Sequence, residues 1–424
     1  IMLDIKFIRE NVDLVKQGAA NKRFDVDIDR LVALDERRPE LNTEAEQTRA
    51  RRNHVAGAIP KASGEERPAL IAEGKELKER VQALESELAA VAVEYDALLL
   101  MIPNVPLEEV PVGVGEEDNQ VLRHVGTPRE FDFKPRDHEE LGRMLGILDK
   151  DSAIKVAGAR SYLLRGAGAL LELAVMRFAM DILWDDGFEP VLGPLMVNEE
   201  AMTGTGFFPY GKEDTYHLDK DGKYLIGTSE VFLVSMHRDE IIDGAELPRR
   251  VAGWSSCFRR EAGSAGKDTR GVYRVHQFSK IEQVVVCKND PEESRSHHDR
   301  LLNNAETLLQ RLGIPYRVAL ACTGEIGLGQ VLKHEVESWM PSRNGYFETH
   351  SCSSLYDYQA RRSAIRWRDD AGNIQFCYTL NNTMVASPRI LIPILENYQN
   401  ADGSVTVPEA LRPYMNGLEI LEPK

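Results

Sequence analysis

Two long runs of residues at heptad spacing constrain the first quarter of this chain more than any other feature. Seam positions recur at intervals of seven, four and three residues, over residues 31–55 and again over residues 70–98. They are Leu31, Leu34, Arg38, Leu41, Ala45, Thr48, Arg52 and Val55, then Leu70, Leu77, Leu84, Leu88, Val91, Tyr95 and Leu98. This spacing predicts two long helices, joined by a turn over residues 57–68 and paired as an antiparallel coiled coil. A short amphipathic helix over residues 5–17 should precede them.

The half of this hairpin nearest its turn is locally cationic. Residues 46–80 carry eight lysines and arginines against six glutamates, in a chain whose net charge is −16. A long arm with this charge could lie along the phosphate backbone of an RNA and read its shape. On the residues alone, the simpler interpretation is a dimerisation hairpin whose charges are solvated.

The amino-acid composition limits the number of domains and the classes of protein that this chain can represent. The chain has 424 residues, so more than one domain is expected. Its acidic net charge argues against a protein that simply coats nucleic acid. The five cysteines have no Cys-x-x-Cys spacing, which favours free thiols in a reducing cytoplasm over disulfides or a cysteine zinc site. Neither a signal-peptide pattern nor an apolar run of membrane-span length is found, so we expect no membrane association.

Residues 257–282 contain the types of side chain that suit a nucleotide site. Arg259, Arg260 and Glu261 precede a small-residue loop, and an alternating run follows it. The loop contains Gly263, Ser264, Ala265, Gly266 and Gly271, and the run contains Arg274, His276, Phe278, Lys280 and Glu282. We interpret the segment as strand, mobile loop and strand, with Arg259 and Glu261 on one face of the first strand and the alternating residues on one face of the second. A hairpin with a merely charged, solvated face is the alternative.

Other candidate motifs are weaker or can be dismissed. Ser229 is not a hydrolase nucleophile, because the G-x-S-x-G elbow is absent, and no P-loop occurs in the sequence. His297 and His298 are adjacent on a predicted helix, so they point to different faces and are interpreted as surface residues. Residues 101–126 are rich in proline, glycine and acid, and predict a linker between domains.

The string FRREAGSAGKDTRGVYRVHQF resembles motif 2 of the class II aminoacyl-tRNA synthetases, in its seryl-tRNA synthetase form. Residues 187–196 resemble motif 1, the dimer-interface element, and residues 379–389 resemble motif 3. Thr228 and Glu230 match the Thr-x-Glu element that binds serine, although Phe232 stands where the family often has proline. Residues 346–353 resemble the strand that meets the metal. Motif 3 lacks the glycines that many members place before Arg389, and no role is carried to His334 or Glu335.

The resemblance implies an α+β fold. A helical coiled-coil arm for tRNA binding would occupy residues 1–102, a linker residues 103–135, and a class II catalytic domain residues 136–424. The catalytic domain would be a mainly antiparallel sheet flanked by helices. The family's N-terminal hairpin grips the long variable arm of its tRNA.

The resemblance also implies the site residues. Arg259 and Arg389 would be catalytic. L-serine would be bound by Thr228, Ser229, Glu230, Arg259, Glu282, Asn381 and Thr383. ATP would be bound by Arg259, Arg260, Glu261, Arg274, Val275, Phe278, Glu348, Thr349, His350, Ser351 and Arg389. Mg²⁺ would be bound by Glu348 and Ser351, two oxygen donors that suit its preference for few protein ligands plus phosphates.

The reaction implied is formation of seryl-adenylate from serine and ATP, followed by transfer of the seryl group to tRNA(Ser), with tRNA(Sec) as a second RNA. The resemblance further implies a cytoplasmic homodimer. Catalysis would rest on positioning and charge neutralisation rather than on a protein nucleophile.

Two rival functions are compatible with the same fold. A non-enzymatic paralogue would be expected to lose Arg259, Glu261, Glu348 or Arg389, and all four are present. An enzyme that charges a carrier protein would not need the long arm, which this chain has.

Overall fold

The two heptad-patterned runs form the paired helices that their spacing predicts. The computed structural model describes residues 3–264 and 271–424, which divide into two compact units, Ile1–Val105 and Pro106–Lys424. The helices of the first unit are α1 (Ile5–Glu10), α2 (Val12–Asn21), α3 (Ile28–Ala58) and α4 (Arg67–Met101). The helix predicted over residues 5–17 is therefore two helices, because the backbone leaves the helical region at Asn11 (φ −135°, ψ 39°).

The seam between α3 and α4 is apolar near the ends that join the rest of the chain. Its buried positions include Leu31, Leu34, Leu84, Val91 and Tyr95. Arg38 occupies a seam position by placing its guanidinium 4.2 Å from the centre of the Tyr95 ring. A cation over an aromatic face keeps its charge solvated while its stem packs, which explains how an arginine is tolerated in this seam.

Ion pairs across the two helices use several of the cations in the basic half. Arg49 lies 2.7 Å from Glu85, Arg51 lies 2.6 Å from Glu73, and Arg80 pairs with Glu44. Among the described residues, no carboxylate lies within 4 Å of the ammonium groups of Lys75 and Lys78. Fewer lysine and arginine side chains are therefore available to bind a partner than the count of eight in residues 46–80 suggests.

The second unit contains the remaining helices and the strands. Its helices are α5 (His138–Met144), α6 (Lys150–Ala157), α7 (Ala167–Asp185), α8 (Glu199–Gly204), α9 (Glu230–Ser235), α10 (Pro291–Leu312), α11 (Tyr358–Ser363) and α12 (Leu391–Asn397). Its strands are β1 (Gln120–Val125), β2 (Glu189–Val191), β3 (Met196–Val197), β4 (His217–Leu218), β5 (Lys223–Leu225), β6 (Ile241–Asp243), β7 (Arg249–Phe258), β8 (Gln277–Cys287), β9 (Tyr316–Leu320), β10 (Leu332–Met340), β11 (Gly345–Tyr356), β12 (Arg366–Arg368), β13 (Ile374–Phe376), β14 (Tyr378–Ser387), β15 (Val405–Thr406) and β16 (Ile420–Leu421). None of the helices in the described ranges combines the length and apolarity needed to cross a bilayer.

A large sheet organises the second unit. Its strand order is β1-β9-β10-β11-β14-β8-β7-β2, and every pair in it is antiparallel except β2 with β7. The α+β prediction with a mainly antiparallel sheet is confirmed. The segment interpreted as a linker includes β1, which pairs with β9 from Gln120 opposite Leu320 to Val125 opposite Tyr316. Residues 120–125 are therefore an edge strand of the sheet rather than linker.

Helices α7 and α10 supply much of the apolar cover for this sheet. Leu171, Phe178 and Leu183 of α7 are buried together with Leu301 and Leu308 of α10. A second apolar cluster surrounds α9, where Phe232 is buried. A Cβ on Gly193 would come within 2.5 Å of the Phe232 ring. The ring therefore packs against the backbone at residue 193, which leaves space for glycine only.

Candidate active site

The site is built on the hairpin of β7 and β8, as residues 257–282 predict. The two strands pair from Arg249 opposite Val286 to Phe258 opposite Gln277. The strands end earlier than predicted, however. Arg259, Glu261 and Arg274 lie beyond the ladder, which ends at Phe258 and resumes at Gln277, and the backbone of Glu261 has a positive φ of +55°. The middle of the predicted mobile loop, including Ala265 and Gly266, lies outside the described residues, and the side chain of Ser264 is likewise not described.

A cavity opens beside the ends of these strands and is lined by β7–β8, β11 and β14 and the residues that flank them. Its lining residues are Arg259, Glu261, Val272, Tyr273, Arg274, Val275, Phe278, Lys280, Glu348, Thr349, His350, Ser351, Thr383, Ala386, Ser387, Pro388 and Arg389. Three arginines and two glutamates from separate segments therefore converge on one cleft. Such a set can hold an anionic, aromatic ligand.

The arginines are held by backbone carbonyls and aromatic rings. Arg259 donates from Nε to the carbonyl of Gly227 at 3.4 Å, and its guanidinium lies 5.2 Å from the centre of the Phe278 ring. Arg389 lies 4.1 Å from the centre of the Tyr273 ring and donates to the carbonyl of Glu348 at 3.3 Å. These neighbours fix the arginines and leave donors available to a ligand.

Glu261 and Arg274 meet across the mouth of the hairpin. Their nearest charged atoms are 3.6 Å apart, and the Glu261 carboxylate is only 12% exposed. The pairing brings together two residues that stand on opposite sides of the loop in sequence.

A β-bulge sets the orientation of the predicted metal ligands on β11. Glu348 lies opposite Glu337 of β10 and His350 lies opposite Val336, which leaves Thr349 as an extra residue. In a regular strand, residues three apart point to opposite faces. The extra residue restores a common face, so Glu348 and Ser351 both line the cavity.

The Glu348 carboxylate sits among positive charges. Burial acts to raise the pKa of Glu348, but Lys333, Arg389, Arg259 and Arg274 outweigh it, and the pKa lies below its usual value. The carboxylate is therefore ionised at neutral pH and can bind a cation.

The side chains of Thr349 and His350 are bonded to each other beside the cavity. Thr349 is buried, and its hydroxyl lies 2.7 Å from Ser338 Oγ and 2.8 Å from His350 Nδ1. Burial lowers the pKa of His350 to about 4, so its ring is neutral. Both residues line the cavity, and their hydroxyl and Nδ1 are already engaged with each other.

A buried polar cluster adjoins the cavity. Glu282 is buried, and its Oε2 lies 2.5 Å from Lys280 Nζ, 3.4 Å from Thr383 Oγ1 and 3.5 Å from Thr228 Oγ1. Lys280 and Thr383 also line the cavity. The structure thus brings together Glu282 and Thr383, the predicted partners of a small hydroxyl group. Lys280 is an additional member of the cluster. Its alternation with Phe278 and Glu282 placed it on the same face, but no role was predicted for it.

Glu230 forms a second buried group beside that cluster. It accepts hydrogen bonds from Gln359 Nε2 at 2.7 Å and from Asn381 Nδ2 at 2.8 Å. Burial, helped by the negative charge of Glu282, raises the pKa of Glu230 to about 7. Gln359, on α11, carries no signal in the sequence that could have identified it.

Two predicted site residues point elsewhere. Ser229 is fully buried and donates its hydroxyl to the carbonyl of Gly253 at 2.9 Å. Arg260 donates to the carbonyl of Glu213 at 3.0 Å and does not line the cavity. His276, expected on the same face as Phe278, instead lines a neighbouring cavity with Tyr216. Because β8 begins only at Gln277, strand alternation does not govern the orientation of His276.

The interpretation of His297 and His298 as surface residues is wrong. Both are buried, because α10 packs both of these helix positions against the sheet. His298 Nε2 lies 2.8 Å from His334 Nδ1, and His298 Nδ1 lies 2.8 Å from Ser354 Oγ.

Known proteins resemble this chain along its whole length. The family model of the seryl-tRNA synthetase N-terminal domain matches residues 2–106, and that of the tRNA synthetase class II core domain (G, H, P, S and T) matches residues 215–398. The serine–tRNA ligase of Deinococcus radiodurans is 48% identical over 420 residues, covering 99% of each chain. That of Corynebacterium diphtheriae is 45% identical over 424 residues, covering 100% of each.

Solved structures of seryl-tRNA synthetases also resemble this chain over its whole length. A seryl-tRNA synthetase from Pyrococcus horikoshii, complexed with ATP, matches all of both chains with a TM-score of 0.90 at 37% identity. The cytoplasmic serine–tRNA ligase of Naegleria fowleri, in complex with AMP, gives a TM-score of 0.87 at 31% identity and covers 100% of this chain and 99% of its own. With this agreement in sequence, fold and coverage, the chain belongs to the seryl-tRNA synthetase family.

Proposed function

We propose that this chain ligates L-serine to tRNA in two steps at the cavity beside β7 and β8. In the first, a serine carboxylate oxygen attacks the α-phosphate of ATP, the bond to the β-phosphate oxygen breaks, and seryl-adenylate and pyrophosphate form. In the second, a hydroxyl of the tRNA's terminal ribose attacks the seryl carbonyl and AMP leaves. The observation that carries the proposal is the convergence of Arg259, Arg274 and Arg389 on one cleft that adjoins the buried Glu282 cluster.

ATP binding at this cleft is supported by the chemistry of its lining. The solved relative from Pyrococcus horikoshii is complexed with ATP. We assign Phe278 to stacking on the adenine and Glu261 to its exocyclic amine, with Arg274 holding both the base and Glu261. Arg259 and Arg389 would neutralise the charge that moves between the phosphates during the attack.

Mg²⁺ fits the face of β11 that the bulge creates. Glu348 presents an ionised carboxylate and Ser351 a hydroxyl on the same side of the strand, and oxygen ligands are what Mg²⁺ prefers. When bound, the ion would supply positive charge to the ATP phosphates. Arg389, whose Nη1 is 3.4 Å from Glu348 Oε2, would share that carboxylate.

Serine would occupy the polar cluster next to the phosphates. Arg259 would bind the carboxylate, and Thr228, Glu230 and Asn381 would surround the ammonium. Glu282 and Thr383 would accept and donate hydrogen bonds at the hydroxyl. The raised pKa of Glu230 would return towards its usual value when an ammonium ion lies beside it, because the positive charge favours the carboxylate.

The first unit is assigned to tRNA. We propose that the α3–α4 hairpin lies along the long variable arm of tRNA(Ser), and of tRNA(Sec) as a second substrate. The side chains available for phosphate contacts include Lys75 and Lys78, which are exposed. A cytoplasmic homodimer completes the proposal, supported by five free cysteines and by exposed apolar residues near the segment that resembles motif 1.

Serine-dependent exchange of pyrophosphate into ATP tests the assignment. The full chain should catalyse exchange with serine alone and aminoacylate tRNA. A variant lacking residues 31–98 should retain exchange, because no lining residue of the cavity lies in that range, while aminoacylation collapses.

Circular dichroism and a melting curve establish that the deletion variant is folded. Loss of exchange in a folded deletion variant would contradict the division of labour between the two units. Absence of serine-dependent exchange in the full chain would contradict the proposed function. Serine-dependent exchange together with charging of a carrier protein instead of tRNA would support the rival enzyme.

A further inference from the structure

Three side chains outside the active-site cavity come together where β8 ends and α10 begins. Cys287 is the last residue of β8, and Glu293 and His297 lie on the first two turns of α10. A spacing of four residues puts Glu293 and His297 on one side of that helix. A cysteine sulfur, a carboxylate oxygen and a ring nitrogen from these residues all lie within 4.8 Å of one another.

The His297 ring is buried with an unsatisfied nitrogen. The residue is 7% exposed, and its Nε2 has no hydrogen-bond partner among the described residues. The nearest carboxylate oxygen, Glu293 Oε1, is 3.5 Å away. At that distance the contact with Glu293 is weak, so a ligand that binds this nitrogen more closely would stabilise the fold.

The spacing suits a small metal ion. Zn²⁺ binds nitrogen and oxygen at about 2.1 Å and sulfur at about 2.3 Å in tetrahedral sites, so ligand atoms stand roughly 3.4–3.8 Å apart. The separation of 3.5 Å between His297 and Glu293 already has this value. Side-chain rotation would bring the thiol from within 4.8 Å to the same spacing, and the fourth position would remain for water.

The charges that face the cluster come from several elements. Desolvation, followed by the positive charge of Arg250, lowers the pKa of His297, while Glu293 acts in the opposite direction. Arg300 also faces it, but Asp186 binds that guanidinium at 2.6 Å. Burial raises the pKa of the Cys287 thiol, and Glu293, the neighbouring Cys377 and Asp290 add to the effect. The negative charges of Glu293 and Asp290 would in turn attract a cation.

We propose that Cys287, Glu293 and His297 form a Zn²⁺ site that clips the end of β8 to the start of α10. Binding forms bonds from sulfur, oxygen and nitrogen to the ion, and the thiol proton leaves to solvent. None of its three ligands lines the active-site cavity, so we expect the ion to act on the stability of the fold rather than on the reaction itself. Its effect on serine ligation is indirect, through the strand that carries Glu282.

Metal binding by the reduced, untagged full chain tests this site directly. Titration with Zn²⁺ should show one equivalent bound, release of a proton and a rise in melting temperature. Titration with Co²⁺, which takes the same ligands, should produce a thiolate-to-cobalt absorption band. Cys287→Ser should abolish the band, whereas Cys322→Ser, a matched change at a buried cysteine just beyond β9, should leave it unchanged.

Glu293→Gln and His297→Gln provide a route that keeps Cys287 in place if Cys287→Ser fails to fold. Each should weaken Zn²⁺ binding by more than about tenfold, since loss of an outer hydrogen-bond partner alone costs 10–100-fold in metal sites. The proposal is overturned if the wild type binds no stoichiometric Zn²⁺, or if the cobalt band survives in Cys287→Ser. It is also overturned if Glu293→Gln and His297→Gln bind Zn²⁺ as tightly as the wild type.

Discussion

Glu282 is the residue on which the choice of amino acid depends in the proposed site. Serine differs from alanine by one hydroxyl, and a cavity that merely fits serine would discriminate weakly. The structure surrounds the Glu282 carboxylate with Lys280, Thr383 and Thr228 in a buried position. If alanine entered, these groups would lose the partner that the serine hydroxyl provides, and buried polar groups without partners are costly.

We expect Glu282→Ala to lower kcat/KM for serine activation by up to about 10⁴-fold, the order of discrimination that buried hydrogen-bond partners supply. Alanine's poor activation should fall much less, because alanine has no hydroxyl to lose and shares with serine only the loss of the ion pair between Lys280 and Glu282. Pyrophosphate exchange with each amino acid measures both values. Glu261→Gln is the control, since an adenine contact should affect both amino acids equally. An equal fall for serine and alanine in Glu282→Ala would show that Glu282 does not read the hydroxyl.

Buried histidines and buried carboxyls give the second unit opposing responses to acid. Burial lowers the pKa of His334 to about 4 and also holds the pKa of His298 well below its usual value. Their neutral rings contribute stability that is complete above pH 6.5 and is lost as the pH falls through the folded-state value. Burial raises the pKa of Glu230 and Glu335 to about 7, so these carboxyls stabilise the fold as the pH falls from 7 to 4.5.

A comparison of His334→Gln with the wild type isolates the histidine contribution. Between pH 6.5 and 4, the wild type should lose about 1.4 kcal/mol of unfolding free energy per pH unit more than the variant. Urea unfolding followed by tryptophan fluorescence reports the second unit, which contains all four tryptophans. His217→Gln, at an exposed position, should keep the wild-type profile. Parallel profiles for wild type and His334→Gln would contradict the prediction.

At the scale of elements, strong periodic patterns were predictable from the sequence. Heptad spacing predicted α3 and α4, and alternation around residues 272–282 predicted the β7–β8 hairpin. The bulge at Thr349 was not predictable, because an extra residue in one strand is defined only by the partner strand. For the same reason, spacing alone could not show that Glu348 and Ser351 share a face.

Burial and strand pairing that result from long-range packing were also not predicted from the sequence. His298 looked like a surface residue because its neighbours in sequence are polar, yet His334 and Ser354, 36 and 56 residues away, satisfy both of its nitrogens. Strand β1 was hidden in a segment rich in proline and acid, because an exposed edge strand needs little apolar sequence. Long-range pairing, rather than local propensity, decided both cases.

Lys75 and Lys78, the hairpin lysines that no described carboxylate approaches within 4 Å, should contribute most to the salt dependence of tRNA binding. Replacing Lys75 and Lys78 together with glutamine should reduce the slope of log affinity against log salt by about 1–2, because each phosphate contact contributes roughly 0.7–0.9. Filter binding at several salt concentrations measures the slope. Arg51→Gln is the control, since Glu73 already binds that guanidinium at 2.6 Å, and its slope should change less. A larger effect from Arg51→Gln would show that the ion pairs open on RNA.

At the scale of the whole molecule, the second unit exposes apolar side chains near β2. Leu192 is 84% exposed and Met196 is 58% exposed, and Trp184, near the end of α7, is also more than half exposed. Exposed apolar residues of this kind are typical of an interaction surface. A symmetric pair would bury the same surface on both copies, which is how most homodimers form.

Leu192→Glu should shift the protein from dimer to monomer in light scattering, because a buried charge without a partner is costly at an interface. Serine-dependent exchange should fall in parallel with the dimer fraction. Val93→Glu, also at a highly exposed apolar position but in the first unit, should remain dimeric. A fully active wild-type monomer at assay concentration would contradict this expectation.

The hairpin of α3 and α4 also has a consequence for how such chains can diversify. Arg30, in the first turn of α3, is bound at 2.7 Å by Glu94, near the end of α4, so the hairpin begins and ends at the same place. Adding one heptad to each helix would move the tip outward by roughly 10.5 Å and leave both ends where they are. Because both ends of the hairpin stay in place, its length can change to match an RNA of different size. No change in the sequence of the second unit is needed for this.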